Sequence, residues 1–430
     1  MMKKIPAKVL KYFRGFLYFL LIFVVGVLVF SQTSLFRSIL KDQLTSILNE
    51  SLQGRVEIGG IEGTLVTSLM VNDIRVSDTL HNEIAFIKRL EVYPRLLEIL
   101  SGRIHVHKIR VEGLWADLVV DSAGVLNVMK ILPKSKEEVK DTVSKPFPYV
   151  LMAETIEIVN SSVYYRKWDK IYSKEAFVSM NMDDLRIPKL DIKLNDIKVD
   201  LAKGYYAVDI EQFMIEPNFK NTPKLSITGE LKLDGRIIDV NDLSIVTNKS
   251  DISLDYFTDE LNPFNNFTTD SLKAAKFALT IECKPFHFDD LTTVLNGFDL
   301  IKGPMQLGLQ ASGDMKNTKI TSLSLEALTT KLYLTGNILN LLEFDKMKIL
   351  ADIKKSVLNP QDIHTIMPGL NLSKFLDFPT VTIDSLGFYG APLTFKGGVG
   401  LRSDNGNISG NYSFDFQKAQ SLYEIDLNTE

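Results

Sequence analysis

The sequence predicts a mainly β chain: an elongated, curled antiparallel sheet, open as a groove (a β-taco), behind an N-terminal transmembrane helix and with a few short helices. Three observations predict it. From Arg55 onward apolar residues recur with period two for most of the chain. Gly, Asn and Asp punctuate these runs, the mark of short strands joined by tight turns. At the start, Gly15 to Phe36 form twenty-two residues without a charge.

That uncharged run is led by Lys3, Lys4, Lys8, Lys11 and Arg14. As a helix it extends about 33 Å at about 1.5 Å per residue, enough for a hydrocarbon core of about 30 Å. Its anchor residues are Phe16, Phe19, Leu20, Leu21, Ile22, Phe23, Val24, Val25, Val27, Leu28 and Phe30. A cleaved signal peptide has the same basic and apolar order but ends in small residues. Here the exit reads Val27-Leu28-Val29-Phe30-Ser31-Gln32, so an uncleaved signal anchor is expected at 15–36. The positive-inside rule places residues 1–14 in the cytoplasm and the bulk across the membrane. For a Gram-negative-type bacterium that is a single-pass inner-membrane protein with a periplasmic body.

Ser34 to Gln53 carries Leu35, Ile39, Leu44, Ile47 and Leu48 at helical spacing, with Gly54 as the expected stop. The amphipathic helix, 37–54 beyond the anchor, is expected to continue the transmembrane helix or to lie near the membrane surface, as a ramp at the mouth of the groove.

The clearest strands place Leu225, Ile227, Leu231 and Leu233 on one parity, then Phe277, Leu279, Ile281 and Cys283. Leu307 and Leu309 follow, then Leu323 and Leu325, Leu332 and Leu334, Val381 and Ile383, and Phe414 and Phe416. Where parity slips, as between Ile104/Val106 and Ile109/Val111, a β-bulge is expected. Tyr93–Leu100 and Val125–Leu132 read as short helices, the second ended by Pro133. The charged, proline-bearing stretch 134–148 reads as a linker dividing a β module at 55–133 from a β-groove at 149–430.

The groove segment carries an internal repeat, 286–340 and 358–416. Asp290 to Leu300 aligns without gaps with Asp362 to Leu372, each read as a short helix capped by its Asp and followed by strands. Repeats that cannot bury a face alone stack on their neighbours.

Composition excludes several classes. With 49 basic against 53 acidic residues there is no excess that would draw nucleic acid. One cysteine, Cys283, excludes a disulfide framework, and on an apolar face it reads as a small hydrophobe. His105-x-His107 has a spacing compatible with a metal but no third ligand beside it. His81, His287 and His364 form no triad. Asp183-Asp184 and Asp289-Asp290 read as caps, and Gly397-Gly398-Val399-Gly400 as a bulged strand, not a phosphate loop. No catalytic residue, cofactor or metal is expected, and an anchored hydrolase lacks a nucleophile.

Three stretches together resemble the N-terminal module of the AsmA-like superfamily. They are Val56 to Leu65 (VEIGGIEGTL), Met70 to Asp78 (MVNDIRVSD), and Gly102-Arg103-Ile104 through Ile109-Arg110-Val111-Glu112-Gly113. Asp121-Ser122-Ala123-Gly124-Val125-Leu126-Asn127 adds a turn into a short helix. Within that superfamily the chain is most similar to the TamB-like translocation-and-assembly-module inner-membrane subunits. The resemblance implies a repeating β-groove that bridges two membranes and carries phospholipid. It further implies an outer-membrane partner of the TamA or BamA barrel type, engaged by a C-terminal domain not recognisable here. The chain is then expected to be an N-terminal portion of a longer protein or a short family member.

The residues support the groove separately. If the apolar faces all point to one side of a curled sheet, they form an apolar trough, because too few long helices exist to cover them. The competing arrangement packs the same residues in a closed barrel or sandwich core. Two functions follow: a lipid conduit, or an assembly factor whose strand edges pair with outer-membrane client proteins.

Overall fold

The computed structural model of the chain describes residues 7–64, 67–101, 103–132, 150–170, 183–217, 224–261, 268–292, 302–368, 379–416 and 422–429. The linker expected at 134–148, and the later parts of both repeat helices, lie outside the described residues. Among the described residues nineteen strands belong to one sheet, and every registered pair but one is antiparallel. The chain divides into two compact units: Met1–Ser173 with Met182–Lys193, and Lys174–Asn181 with Leu194–Glu430.

The first unit opens with α1 (Ala7–Ser31) and α2 (Ser34–Ser51). Among the described residues no helix is long and apolar enough to cross a membrane. The side chains of Leu20, Val24, Val27 and Leu28 lie outside the described set. The single helix expected over 15–36 is broken at Gln32 and Thr33. The break has a local cause: Thr33 is extended, and its hydroxyl accepts from the Phe36 amide at 3.2 Å, capping α2.

Four strands follow as antiparallel neighbours: β1 (Arg55–Gly63), β2 (Leu69–Ser77), β3 (Glu83–Pro94) and β4 (Arg103–Val120). Leu40, Leu44, Leu48 and Leu52 pack on a cluster of Val56, Ile58, Ile61, Val71 and Ile74, so α2 covers the apolar face of β1 and β2. Leu35, Ile39 and Ile47, expected in the apolar stripe, are instead exposed. The side chain of Asn49 pairs with the Val56 backbone, accepting from its amide at 2.6 Å and donating to its carbonyl at 3.0 Å. An edge strand is thereby partly satisfied by a side chain. Gly54 is not a left-handed helix stop. A Cβ there would lie 2.4 Å from the Ser77 carbonyl, so close approach, not φ, requires glycine.

The stretch Tyr93–Leu100 differs from expectation: Tyr93 and Pro94 end β3, and only Leu96–Ser101 turn, as a 3-10 helix. The bulge expected between Val106 and Ile109 is present, because Tyr93 faces Lys108 while Pro94 faces Val106. After α3 (Asn127–Ile131), β5 (Val150–Lys167) pairs with β4 in parallel, a departure from the all-antiparallel expectation. A parallel neighbour needs a crossover. The stretch read as a linker therefore joins two strands of one unit.

The second unit carries β7 (Tyr205–Glu216), β8 (Leu225–Asp234), β9 (Ile237–Val246), β10 (Asp251–Thr258), β11 (Phe277–His287) and β12 (Pro304–Asp314). It continues with β13 (Asn317–Ala327), β14 (Thr330–Leu339), β15 (Lys348–Leu358), β16 (Val381–Ala391), β17 (Thr394–Ser403), β18 (Gly406–Asp415) and β19 (Leu422–Thr429). Each pairs with the next in antiparallel order. Preceding them, β6 (Asp184–Asp200) carries residues of both units. The helices here are single turns or two: α4 (Thr269–Ala274), α5 (Asp289–Thr292) and α6 (Pro360–Ile366).

The two repeat aspartates occupy matching places, and both bond outside their own helices. The Asp290 carboxylate accepts from the hydroxyls of Thr247 and Ser250, in the turn between β9 and β10. One oxygen of Asp362 accepts from the amides and hydroxyls of both Thr329 and Thr330, between β13 and β14, at 2.7 to 2.9 Å. Asn359, not Asp362, caps α6. Each repeat aspartate thus staples its helix to the hairpin turn two strands back.

Candidate functional site

Residues paired directly across antiparallel strands point to the same face. In the second unit this rule links the apolar positions into lanes running across the strands. One lane runs Ile227, Ile245, Ile252, Cys283, Leu307, Leu325, Leu332. The next runs Leu243, Leu254, Ile281, Leu309, Leu323, Leu334, Ile353, Leu386, Val399. A third runs Val208, Leu231, Val240, Tyr256, Leu279, Ala311, Ile320, Gly336, Ala351, Phe388. A fourth begins at Tyr206, Leu233 and Ile238 and resumes from Phe277 to Ile338, Ile349, Phe395, Phe414 and Tyr423.

Polar residues run along the opposite face, with Phe257, Leu350 and Tyr389 among them. Thr228, Ser244, Ser253, Glu282, Gly308, Ser324 and Tyr333 form one of its lanes, and Asp255, Thr280, Gln310 and Ser322 another.

All the apolar positions singled out from the sequence fall on the apolar face. Leu225 shares the parity of Ile227, and Val381 and Ile383 lie opposite Leu358 and Ser356. Phe277, Cys283, Val381 and Ile383 are buried, Phe416 is exposed, and the remainder are half-buried. Half-burial is what side-by-side packing within one layer gives; a second covering layer would bury them fully. Among the described residues no helix of the second unit exceeds seven residues, so none forms such a layer. Sequence reading missed Val240, Ile320, Ile353, Leu386 and Phe395, which join the same lanes; Ile320 and Leu386 do so although their parity differs from that of Leu323 and Ile383 on their own strands.

Aromatic rings cluster where the third and fourth lanes reach β16 to β18. Phe395 stacks on Phe388 at 4.4 Å and lies 5.4 Å from Phe414, which stacks on Phe416 at 5.7 Å. Phe286 and Phe288 meet edge to face at 4.9 Å, apart from that cluster in sequence. Burial pushes the Tyr256 phenol up, and burial followed by the nearby Asp251 charge pushes the Cys283 thiol up. Both groups therefore stay neutral on this face near pH 7.

Several of the polar residues weighed for chemistry are held in ion pairs and hydrogen bonds. His105 sits between Glu98 at 2.9 Å and Glu154 at 3.4 Å, and His107 also meets Glu154. Among the described residues no group of three or more His, Cys, Asp or Glu could hold a metal ion. Asp184 is not a cap but a buried partner of Arg186, bonded at 2.8 and 3.1 Å. Gly397 to Gly400 lie in β17, as a strand; the extra residue of the local bulge is in β16 instead. A Cβ on Gly397 would fall 1.7 Å from the Gly387 carbonyl, which accounts for that glycine without a phosphate. Compared with known proteins, the chain matches no family model, no curated protein and no solved structure.

Proposed function

We propose that the protein is a tethered lipid-transport bridge of the periplasm, holding phospholipid acyl chains against the apolar face of its second unit for movement from the inner toward the outer membrane. The observation that carries this reading is the set of apolar lanes crossing strand after strand with no helix layer over them among the described residues. Each buried methylene contributes about 0.8 kcal/mol. A lane can thus hold an acyl chain without any specific polar contact, and can pass it along because neighbouring positions are alike.

The tether is α1. Its seventeen residues from Gly15 to Ser31 carry no charge, and at about 1.5 Å each they extend about 26 Å, the lower end of spanning lengths. Arg14, exposed at the start of that stretch, lengthens it by reaching to the headgroups. The basic N-terminal tail sets the orientation, with the sheet in the periplasm. This reading assigns no reaction to the chain.

Photoreactive side chains at Leu231, Leu279 and Leu334, against neighbours Lys232, Thr280 and Thr335 on the other face, test it. Lipid adducts are expected at the first three. No adducts there, or equal adducts at all six, reject the conduit.

A second reading, a scaffold for outer-membrane proteins working with a TamA/BamA-type barrel, is favoured by β19. All eight of its residues are exposed, and β18 is its registered neighbour. Such an edge can pair with a client strand. Protein adducts from Glu424 and Asp426, with none to lipid from the lanes, select that reading.

A further inference from the structure

A cleft of about 480 Å³ opens over β16 to β19 on the polar side of the second unit's sheet, a size typical of small-molecule sites. Two lanes make it. Tyr389, Lys396, Ser413 and Glu424 face one another strand by strand, and Gly398, Asn411 and Asp426 form the lane beside them. A second cleft of about 410 Å³ continues along the same strands, over Gly400, Ser409 and Asn428, as far as the Asp384–Arg402 ion pair. From Lys396 to Arg402 the two extend about 20 Å, at about 3.3 Å per residue.

The first cleft has a bare floor, an aromatic wall and unpaired polar groups. A Cβ on Gly398 would meet only the Asn411 Oδ1 at 3.5 Å and the Gly410 carbonyl at 3.7 Å, ordinary contacts, and its φ is not left-handed. The fold therefore accepts a side chain there; glycine weakens a strand interior and here leaves the floor open to a close approach. The wall is the Tyr389 ring. Its Cε2, Cζ and Oη would all lie 2.6 to 2.8 Å from a Cβ on Gly387, and its hydroxyl donates to Asp352, so the ring is pinned along the sheet with the residue 37% exposed. Lys396, Glu424, Asp426 and the Asn411 amide have no ion-pair or hydrogen-bond partner among the described residues.

We propose that this cleft binds a neutral linear glycan, one sugar ring lying over Gly398 against the Tyr389 ring and the chain following β17 and β18 toward Arg402. A sugar ring offers C–H groups on its faces and hydroxyls around its rim. The first suit an aromatic ring and a bare glycine floor; the second need donors and acceptors together, which Lys396, Asn411, Ser413, Glu424 and Asp426 supply. Other ligands fit less well. The two carboxylates repel a phosphate or an acidic chain. The backbone groups of β17 and β18 are spent on the ladder, so an extended peptide laid over them finds no main-chain partner. The apolar lanes lie on the other side of the sheet, so this site is separate from the one proposed for lipid.

The full-length protein, in a detergent without a sugar headgroup, is titrated calorimetrically with chitohexaose and with cellohexaose. Saturable binding of at least one is expected, weakened roughly tenfold by Tyr389→Ala and by Asp426→Ala and lost in Gly398→Val, whose side chain fills the floor. Gly398→Val should melt no lower than the parent and co-purify the same phospholipid. If that variant fails to fold, Tyr389→Ala and Asp426→Ala, both at exposed positions, decide alone. Saturable binding of neither sugar, equal binding by parent and variants, or tighter binding of pentalysine, which would make the cleft an acidic patch for cations, overturns the proposal and leaves the lipid reading untouched.

Discussion

Leu334→Arg offers the sharpest test of the trough. Leu334 lies in the middle of its lane, with Leu323 and Ile353 directly beside it on β13 and β15. Adjacent strands are about 4.8 Å apart, so one lane position lies under three to four methylenes of a chain running across the strands. Full burial of those methylenes is worth about 3 kcal/mol. The sheet covers one side of the chain only, which halves the figure to about 1.5 kcal/mol, or roughly tenfold in occupancy. A guanidinium that must keep its water adds to this loss. The control is Thr335→Arg, one residue on, exposed and on the polar face. Phospholipid co-purified per mole of protein, together with adducts from a photoreactive group at Leu309, reads the result. Leu334→Arg should lower both by about tenfold or more, with Thr335→Arg unchanged. Equal lipid in both variants, or equal loss in both, refutes the argument that one face carries the cargo.

Asp362→Ala leaves two amides and two hydroxyls without their acceptor and should destabilise the β13–β14 turn by about 3 kcal/mol, read as faster hydrogen exchange there. Burial alone would raise the Asp362 carboxyl, but the bonds from Thr329 and Thr330 outweigh it and hold it below the ordinary value. Its stabilisation is therefore complete above the unfolded-state value near 4 and is lost as pH falls through the lower folded value; the protection of this turn, exchange relative to the intrinsic rate at each pH, should change little from about pH 7 to 5 and fall only in stronger acid. Leu44→Ala, at the contact between α2 and the first unit's sheet, should cost about 2 kcal/mol, measured as lost protection of β1 and β2; unchanged protection would show that α2 is not seated there. Cys283, 4% exposed and with its thiol raised, should react with iodoacetamide at least tenfold more slowly than free cysteine, by a rough measure of thiolate fraction and access, and at the free rate once the protein is unfolded.

The alternation of Leu225 to Leu233 and of Phe277 to Cys283 was enough to read strands and their greasy side, because period two is a local property. What the sequence could not reveal were contacts set by distant partners. The parallel pairing of β4 with β5 depends on a crossover, not on either strand's own pattern. Ser161 and Ser356 look like ordinary strand serines. Both are buried behind left-handed residues, Asn160 and Lys355, and their hydroxyls accept from the Leu114 and Tyr333 amides on neighbouring strands. Asp290 and Asp362 were visible as a repeat, yet their donors lie 40 or more and 32 or more residues away in the chain. The capping rule invoked for them is local and so could not find those donors. The break at Thr33 was missed for the opposite reason: hydropathy averages over a window and passes over a single capping residue.

Two of the residues missed from the lanes, Ile320 and Leu386, share one cause, and it bears on how the lanes stay aligned. Strict period two would turn Ile320 and Leu323, three apart, to opposite faces. Both instead face inward, because β13 carries an extra residue between them relative to β12 and β14. The same three-residue step joins Ile210 to Phe213 on β7, Val240 to Leu243 on β9 and Cys283 to Phe286 on β11. On β16 it joins Ile383 to Leu386. The strands between, β8, β10, β12 and β14, lack the extra residue where they face these bulges. Each bulge bends and twists its hairpin locally, and it leaves the apolar residues on both sides of the step on one face. The parity slips that look like defects in the pattern are therefore what keeps the apolar face continuous from strand to strand.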